Sequence, residues 1–257
     1  MTKKHDIMWF DTIDSTNNEA KRRIETLDNL SVLSAMEQTE GRGQRGNTWS
    51  ARPGENLTFS IVMKFGHGGL TTVRALDQFV ISEIAALSAV DLLGRYDIEA
   101  KVKWPNDIYV GSKKICGILI ENSVRDAFLA SSIVGIGLNI NQTTFDPSLP
   151  NPTSMSLCLP STGAILSPES MLEEFMDIFK LYCFRYLNIT GGYTRLRKLY
   201  LSQLWRLNEP AEFIDFTINR QFHGTIKGLS EIGLLKVLDT EKGELKEFAF
   251  KEIGYII

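Results

Sequence analysis

The sequence predicts an α+β fold: a mixed, mainly antiparallel sheet flanked by helices, followed by a small C-terminal β-barrel domain. Four strand-like runs lie within residues 101–140 and are separated only by short turns. Parallel neighbours need crossovers of a dozen or more residues, so these strands must be largely antiparallel. After Glu209-Pro210 the chain changes to short strands and turns. We therefore expect a main domain at 1–208 and a small β-domain at 209–257.

The other elements follow from local patterns. Runs rich in β-branched and aromatic residues predict strands, and apolar residues at helical spacing predict helices. The predicted strands of the main domain are 7–10, 32–38, 57–65, 101–104, 107–110, 114–121 and 128–140. The predicted helices are 14–24, 76–93, 169–188 and 193–204. The helix at 76–93 is expected to present one wide apolar face.

The composition narrows the class of protein. The chain has 257 residues, 43% of them hydrophobic, and a net charge of −3. A general polyanion-binding surface is therefore not expected, and any basic site must be local. The three cysteines are far apart and lack a nearby histidine, so we expect reduced thiols rather than disulfides or a zinc site. Without a signal peptide or an apolar run that could cross a bilayer, the chain is predicted to be cytoplasmic.

The segment 41–50 has the most unusual composition in the chain. Its first six residues include three glycines and two arginines, and Trp49 follows. Glycine permits backbone conformations closed to other residues and is costly to order. Arginine provides a planar, charged fork that suits phosphate and carboxylate groups. The segment is therefore predicted to be a mobile lid that orders around an anionic ligand. A surface turn with two solvated arginines is the alternative.

Polar residues precede this lid at two places. Ser15, Thr16 and Asn17 open the first predicted helix, where they can cap the helix or bind a small polar ligand at its positive end. Gln38 ends the strand that leads into the lid. Its amide can bind a ligand or serve a turn.

A tryptophan-proline bend lies at 103–107, in the run Lys-Trp-Pro-Asn-Asp. Proline fixes the backbone, so the bend presents Lys103, Asn106 and Asp107 together. Lys114 opens the next strand, and a hairpin would bring it close to Asn106 and Asp107. A surface hairpin with solvated lysines is the alternative, but it explains only the lysines.

Gly135 and Gly137 alternate on the last predicted strand of the main domain. Alternate residues share one face of a strand, so this face lacks side chains. Glycine weakens a strand, and close approach of a ligand or another backbone is the usual reason for it. No helix start follows, so the run is not a dinucleotide-binding fingerprint.

Together, in this order, the four segments resemble the biotin–protein ligase family. The resemblance covers 10–141 in detail, and the β-rich tail also fits. It implies a class II synthetase-like domain with an SH3-like C-terminal barrel. It also implies an enzyme that activates biotin with ATP and Mg²⁺ to biotinyl-5′-AMP and passes biotin to one lysine of a biotin carboxyl carrier domain of a carboxylase. Lipoate ligases share the fold class but not the lid or the 103–107 bend.

The resemblance assigns roles residue by residue. The expected biotin-binding residues are Ser15, Thr16, Asn17, Gln38, Gly41, Arg42, Gly43, Gln44, Lys114, Gly117, Gly135 and Gly137. The expected ATP- and adenylate-binding residues are Arg42, Arg45, Trp49, Lys103, Trp104, Asn106, Lys114 and Asn139. Metal ligands are not assigned.

Arg42, Lys114 and Asp107 are the expected catalytic residues. A carboxylate that attacks an α-phosphate brings two anions together, so Arg42 and Lys114 are expected to offset their charge. The acceptor lysine must attack as a neutral amine, which costs roughly 4–5 kcal/mol at pH 7 from its reference pKa. Asp107 is the candidate that takes this proton or steers the ammonium.

Two features depart from the family pattern. Many members carry arginine where this chain has Gln44, which predicts weaker retention of the adenylate unless Arg45 compensates. Only 14 residues precede Ser15, too few for the N-terminal DNA-binding domain of some members, so DNA binding is not expected. A homodimer is one alternative for the oligomeric state. A lipoate-type ligase and a non-catalytic module that stores biotin are the alternative functions.

Overall fold

In the computed structural model, which describes residues 5–66, 68–159 and 165–256, seven strands form the main sheet. They are β1 (Ile7–Ile13), β2 (Val32–Gln38), β3 (Leu57–Lys64), β4 (Lys101–Lys103), β5 (Asp107–Val110), β6 (Lys113–Arg125) and β7 (Phe128–Leu138). Their order across the sheet is β1-β2-β3-β7-β6-β5-β4. β1 and β2 are parallel, and the other described neighbours are antiparallel. The predicted mixed, mainly antiparallel sheet is confirmed.

Helices pack against this sheet and against each other. They are α1 (Thr16–Arg22), α2 (Phe79–Gly94), α3 (Met155–Cys158), α4 (Pro168–Leu187) and α5 (Gly192–Ser202). Ser167 caps α4 by accepting a hydrogen bond from the Ser170 amide at 3.2 Å, and Pro168 follows in the first turn. The sequence pattern missed α3, because a four-residue helix has no detectable periodicity.

The prediction of one wide apolar face on α2 was wrong. Helix α2 contacts β4, β5 and β6 as well as α4 and α5, and 12 of its 16 residues are buried. Even Glu83 and Ser88 are buried. Ser88 satisfies its hydroxyl within the helix, and Glu83 pairs with Arg197 of α5. A helix that is buried all round is apolar on every face, and its few polar side chains need a hydrogen-bond or ion-pair partner.

The C-terminal part is an antiparallel sheet of the SH3-like type, with five strands among the described residues. They are β8 (Pro210–Asp215), β9 (Arg220–Leu229), β10 (Leu235–Asp239), β11 (Glu244–Phe248) and β12 (Ile253–Tyr255), in the order β11-β10-β9-β8-β12. Stacked rings of Phe213, Phe222 and Phe248 fill its interior. The predicted small C-terminal β-domain is confirmed, whereas its boundary at 208/209 stays a prediction.

The small sheet is fastened to the main domain at the 103–107 bend, which contains a cis peptide bond before Pro105. The Trp104 indole donates a hydrogen bond to the Gly233 carbonyl at 3.0 Å. This bond holds the C-terminal domain against the bend, where Phe250 lines the same grooves as Asn106. Within the main domain, the Trp205 indole donates to the Gly111 carbonyl at 2.9 Å.

No helix in the described ranges is both long enough and apolar enough to cross a lipid bilayer.

Candidate active site

A cavity of about 230 Å³ opens on the face of the main sheet formed by β6 and β7. Loop 41–50, the start of α1 and the 103–107 bend enclose it, and the C-terminal domain contributes Phe250. The predicted site residues that line it are Ser15, Thr16, Asn17, Gln38, Arg42, Gly43, Gln44, Trp49, Asn106, Asp107, Lys114, Gly117, Gly135 and Gly137. Segments far apart in sequence therefore meet in one place.

Other predicted site residues lie outside this cavity. Lys103 donates a hydrogen bond to the Tyr109 hydroxyl at 2.9 Å. Asn139 is buried and donates to the Thr153 carbonyl at 2.9 Å, and Trp104 is buried against the C-terminal domain. Gly41 packs closely against the Trp49 carbonyl. The side chain of Arg45 lies outside the described part of the chain. Their expected ligand contacts stay predictions.

A small polar network around Gln38 and Thr16 forms one end of the cavity, its polar head. Gln38 accepts hydrogen bonds from the Thr16 amide at 2.8 Å and from the Thr16 hydroxyl at 3.2 Å. The Ser60 hydroxyl lies 2.7 Å from Thr16 Oγ1 and 2.6 Å from Asn17 Oδ1, and its single proton serves one of them at a time. Ser15 is the N-cap of α1, but among the described residues its side chain makes no capping hydrogen bond. Its hydroxyl can therefore face a ligand.

The glycines of β6 and β7 do permit a close approach, as the sequence predicts. A Cβ on Gly137 would lie 2.6 Å from Nε1 of Trp49, and one on Gly117 would lie 3.0 Å from Cζ3 of the same ring. A Cβ on Gly135 would overlap the Asn17 amide. In this structure the groups that come close are side chains of the chain itself.

The two cationic side chains described in the cavity lining each face a carboxylate. Arg42 forms a fork with Glu121, in which each guanidinium–carboxylate contact measures 3.2 Å. Lys114 Nζ lies 2.7 Å from Asp107 Oδ1, although the angle is not that of a hydrogen bond. The hairpin of β5 and β6 therefore brings Lys114 to Asp107, as predicted. Glu121 and Phe250 were not among the predicted site residues.

Loop 41–50 is docked on the cavity in this structure. The Trp49 amide donates a hydrogen bond to the Gly41 carbonyl at 2.9 Å, and the Gly43 amide donates to the Asn47 carbonyl at 2.7 Å. These bonds fold the loop back on itself and point Trp49 at the glycine face. Its expected mobility stays a prediction.

Cys116 lies on β6 between Lys114 and Gly117, yet it is not a candidate nucleophile. Burial raises the pKa of its thiol well above the ordinary value, with Lys114 opposing this shift more weakly. A buried neutral thiol is inert, since the thiolate is the reactive form. The chemistry of the cavity therefore rests on its cations, carboxylates and amides. Among the described residues, no group of three or more His, Cys, Asp or Glu is arranged to hold a metal ion.

Known proteins identify the family of this chain. The model of the Biotin/lipoate A/B protein ligase family matches residues 9–139. The chain belongs to this family. This chain is 30% identical to the biotin–[acetyl-CoA-carboxylase] ligase of Paracoccus denitrificans, over 86% of this chain and 90% of that protein. It is 25% identical to the bifunctional ligase/repressor BirA of Bacillus spizizenii, over 95% of this chain and 72% of that protein.

Solved structures support the fold of this family member. The biotin protein ligase from Aquifex aeolicus, in complex with biotin and ATP, matches with a TM-score of 0.76 at 24% identity. The match covers 98% of both chains. It therefore includes both the main sheet and the C-terminal domain, and it confirms the predicted fold class.

Proposed function

We propose that this chain is an ATP-dependent biotin–protein ligase. It activates biotin to biotinyl-5′-AMP and transfers biotin to a specific lysine of a biotin carboxyl carrier domain. The observation that carries this proposal is the single cavity that joins the polar network at Gln38 and Thr16, the glycine face of β7, and the cations Arg42 and Lys114. The names of the relatives support the choice of biotin over lipoate.

In the first step, the biotin carboxylate attacks the α-phosphorus of ATP. An oxygen–phosphorus bond forms, the bond to the bridging oxygen of the β-phosphate breaks, and pyrophosphate leaves. Lys114 is fixed on a strand, so its ammonium can offset charge on the carboxylate and the α-phosphate without large reorganisation. Arg42 provides a second cation from the loop.

Mg²⁺ is proposed to enter with the nucleotide. Among the described residues that line the cavity, Asp107 is the acidic one, and Mg²⁺ commonly binds through one or two carboxylates together with substrate phosphates. Bound there, the ion would neutralise charge on the polyphosphate. Asp107 therefore suits a metal that comes with ATP better than one held by a dedicated protein cage.

In the second step, the ε-amine of the carrier lysine attacks the acyl carbon of the adenylate. The new amide bond forms, AMP leaves, and the nitrogen loses a proton. We propose Asp107 as the group that takes this proton or steers the ammonium, because it lies at the cavity wall beside Lys114. Loop 41–50 is proposed to cover the adenylate and exclude water, which would otherwise hydrolyse it.

The proposed protein partner is a carboxylase carrier domain, in keeping with the name of the Paracoccus denitrificans relative. The absence of DNA binding, a possible homodimer and a cytoplasmic location stay predictions.

The decisive experiment is incubation of the protein with biotin, MgATP and a carrier domain, followed by mass spectrometry of the carrier. We expect the carrier to gain one biotinyl group on one lysine. Lipoate in place of biotin serves as the control and should give no product. Biotin-dependent release of pyrophosphate without transfer would favour activation alone, and biotin binding without pyrophosphate release would favour the storage module.

A further inference from the structure

Glu121 occupies a position between the polar head of the cavity and the loop. Its carboxylate binds both terminal nitrogens of Arg42 at 3.2 Å and accepts a hydrogen bond from Asn17 Nδ2 at 2.9 Å. Asn18 Oδ1 accepts a further hydrogen bond from Arg42 at 2.8 Å. The guanidinium of the loop is therefore held by groups of β6 and α1.

This fork has the same chemistry as the one proposed between Arg42 and the ligand. A guanidinium pairs with carboxylates and phosphates through two parallel N–H···O bonds. The biotin carboxylate, and later the phosphate of the adenylate, would need the edge of Arg42 that Glu121 holds in this structure. Ligand anion and Glu121 therefore compete for one cation.

Asn17 connects Glu121 to the polar head of the cavity. Its Nδ2 donates to Glu121, its Oδ1 lies 2.6 Å from the Ser60 hydroxyl, and its amide packs against Gly135. A row of close polar contacts thus links Gln38, Thr16, Ser60, Asn17, Glu121 and Arg42, and the Ser60 proton serves either Thr16 or Asn17 within it. A ligand that takes a partner from Gln38 or Thr16 changes the contacts available to Glu121.

Arg42 contacts Glu121 near the start of the loop, and Trp49 contacts the glycine face near its end. Its indole lies on Gly137 and Gly117, on the face where the biotin rings are proposed to lie. The indole Nε1 is buried and has no hydrogen-bond partner among the described residues. A buried donor without a partner is unfavourable. The indole, whose ring centroid lies 5.7 Å from the Lys114 ammonium, is therefore an occupant that a ligand can displace.

We propose that Glu121 is a positioning residue that holds Arg42 until biotin binds. Glu121 and Trp49 act as internal substitutes for the two ends of the ligand: Glu121 takes the guanidinium of Arg42, and Trp49 takes the glycine face. Binding of biotin exchanges the Glu121 carboxylate for that of the ligand and moves the indole off the sheet. This inference rests on the proposed function, because it assumes that biotin binds in the cavity.

The test compares biotin with biotin amide, which has no carboxylate, by calorimetric titration. Glu121→Gln keeps an acceptor for Asn17 but removes the competing charge. We expect it to bind biotin about two- to fivefold more tightly than wild type, the range for a partly exposed ion pair, with no gain for biotin amide. Glu121→Asp keeps the charge but is too short for the fork, so it should shift biotin binding in the same direction. Glu55→Gln is the matched control, since Glu55 pairs with Arg52 instead.

The outcomes separate the inference from the proposed function. An equal change for both ligands, or no change for either, would overturn the role of Glu121. Absence of biotin binding by the wild type would instead overturn the proposed function, and the inference with it. Tryptophan emission gives a second readout: biotin should change it in the wild type and not in Trp49→Phe. A change of the same size in Trp49→Phe would come from the other three tryptophans and would overturn the displacement of the Trp49 indole.

Discussion

Replacement of Gln44 by arginine should slow the release of the biotinyl adenylate. Gln44 lines the cavity and also the neighbouring groove that reaches Trp104 and Phe250. It begins a short turn, Gln44–Gly46, that the Asn47 amide closes at 3.2 Å on the Gln44 carbonyl. A longer side chain at this position can therefore reach the cavity from a backbone that is already folded.

The size of the effect follows from the charges around Gln44. Arg42 and Lys114 are each balanced by a carboxylate, so an added guanidinium would be an unpaired cation facing the adenylate phosphate. A hydrogen bond to a charged group contributes about 1.5–3 kcal/mol, and partial exposure places this one at the lower end. Because 1.4 kcal/mol is a factor of ten, we expect release to slow about tenfold.

The assay starts from protein that holds labelled biotinyl-AMP. An excess of unlabelled biotinyl-AMP is added, and the rate at which the labelled adenylate leaves the protein is measured. Gln44→Lys separates charge from the planar fork, and Gln221→Arg adds the same group on the exposed surface of β9 as a control. A release rate that is the same in wild type and Gln44→Arg would refute the reasoning. Equal slowing by Gln221→Arg would show that the effect comes from net charge alone.

Three further predictions test other parts of the site and fold. Gly137→Ala should weaken biotin binding at least about tenfold, because the new Cβ clashes on the face that the ligand needs; Gly94→Ala, which meets open space, should leave it unchanged in the same titration. Asp107→Asn should alter the pH–rate profile of transfer to the carrier, and an unaltered profile would remove Asp107 as proton acceptor. Burial raises the pKa of Glu83 from 4.5 to about 7. Between pH 4.5 and 7 the folded state therefore holds this proton more firmly than the unfolded state does. The free energy of unfolding should therefore fall as pH rises from 4.5 to 7, by up to about 1.4 kcal/mol per pH unit; urea denaturation should show a flatter profile for Glu83→Gln.

Much of the cavity could be predicted because its residues break local rules. A strand has no structural need for Gly135 and Gly137, and loop 41–50 has no propensity for helix or strand. Such departures persist where a close approach or a ligand requires them. The hairpin that joins Asp107 to Lys114 was equally predictable, since a short turn leaves the two strands few other arrangements.

Other features could not be read from the sequence, because they depend on contacts between distant segments. Phe250 is one aromatic residue among many in the tail, and only the docking of the C-terminal sheet brings it to the cavity. Glu121 looks like an ordinary strand-end carboxylate until the fold places it opposite Arg42. The hydrogen bond from the Trp104 indole to the Gly233 carbonyl also joins distant segments, and no local pattern indicates it.

The arrangement of charge suggests why a site for anions carries carboxylates of its own. Unpaired, Arg42 and Lys114 would repel each other, and the loop would gain little from docking on a positively charged sheet. Paired with Glu121 and Asp107, they hold the loop and the hairpin in place while the cavity remains close to neutral. In the exchange proposed above, the biotin carboxylate takes the place of Glu121 on Arg42. The net cost of such an exchange is only the difference between two similar ion pairs, so a site of this kind can bind and release charged ligands readily.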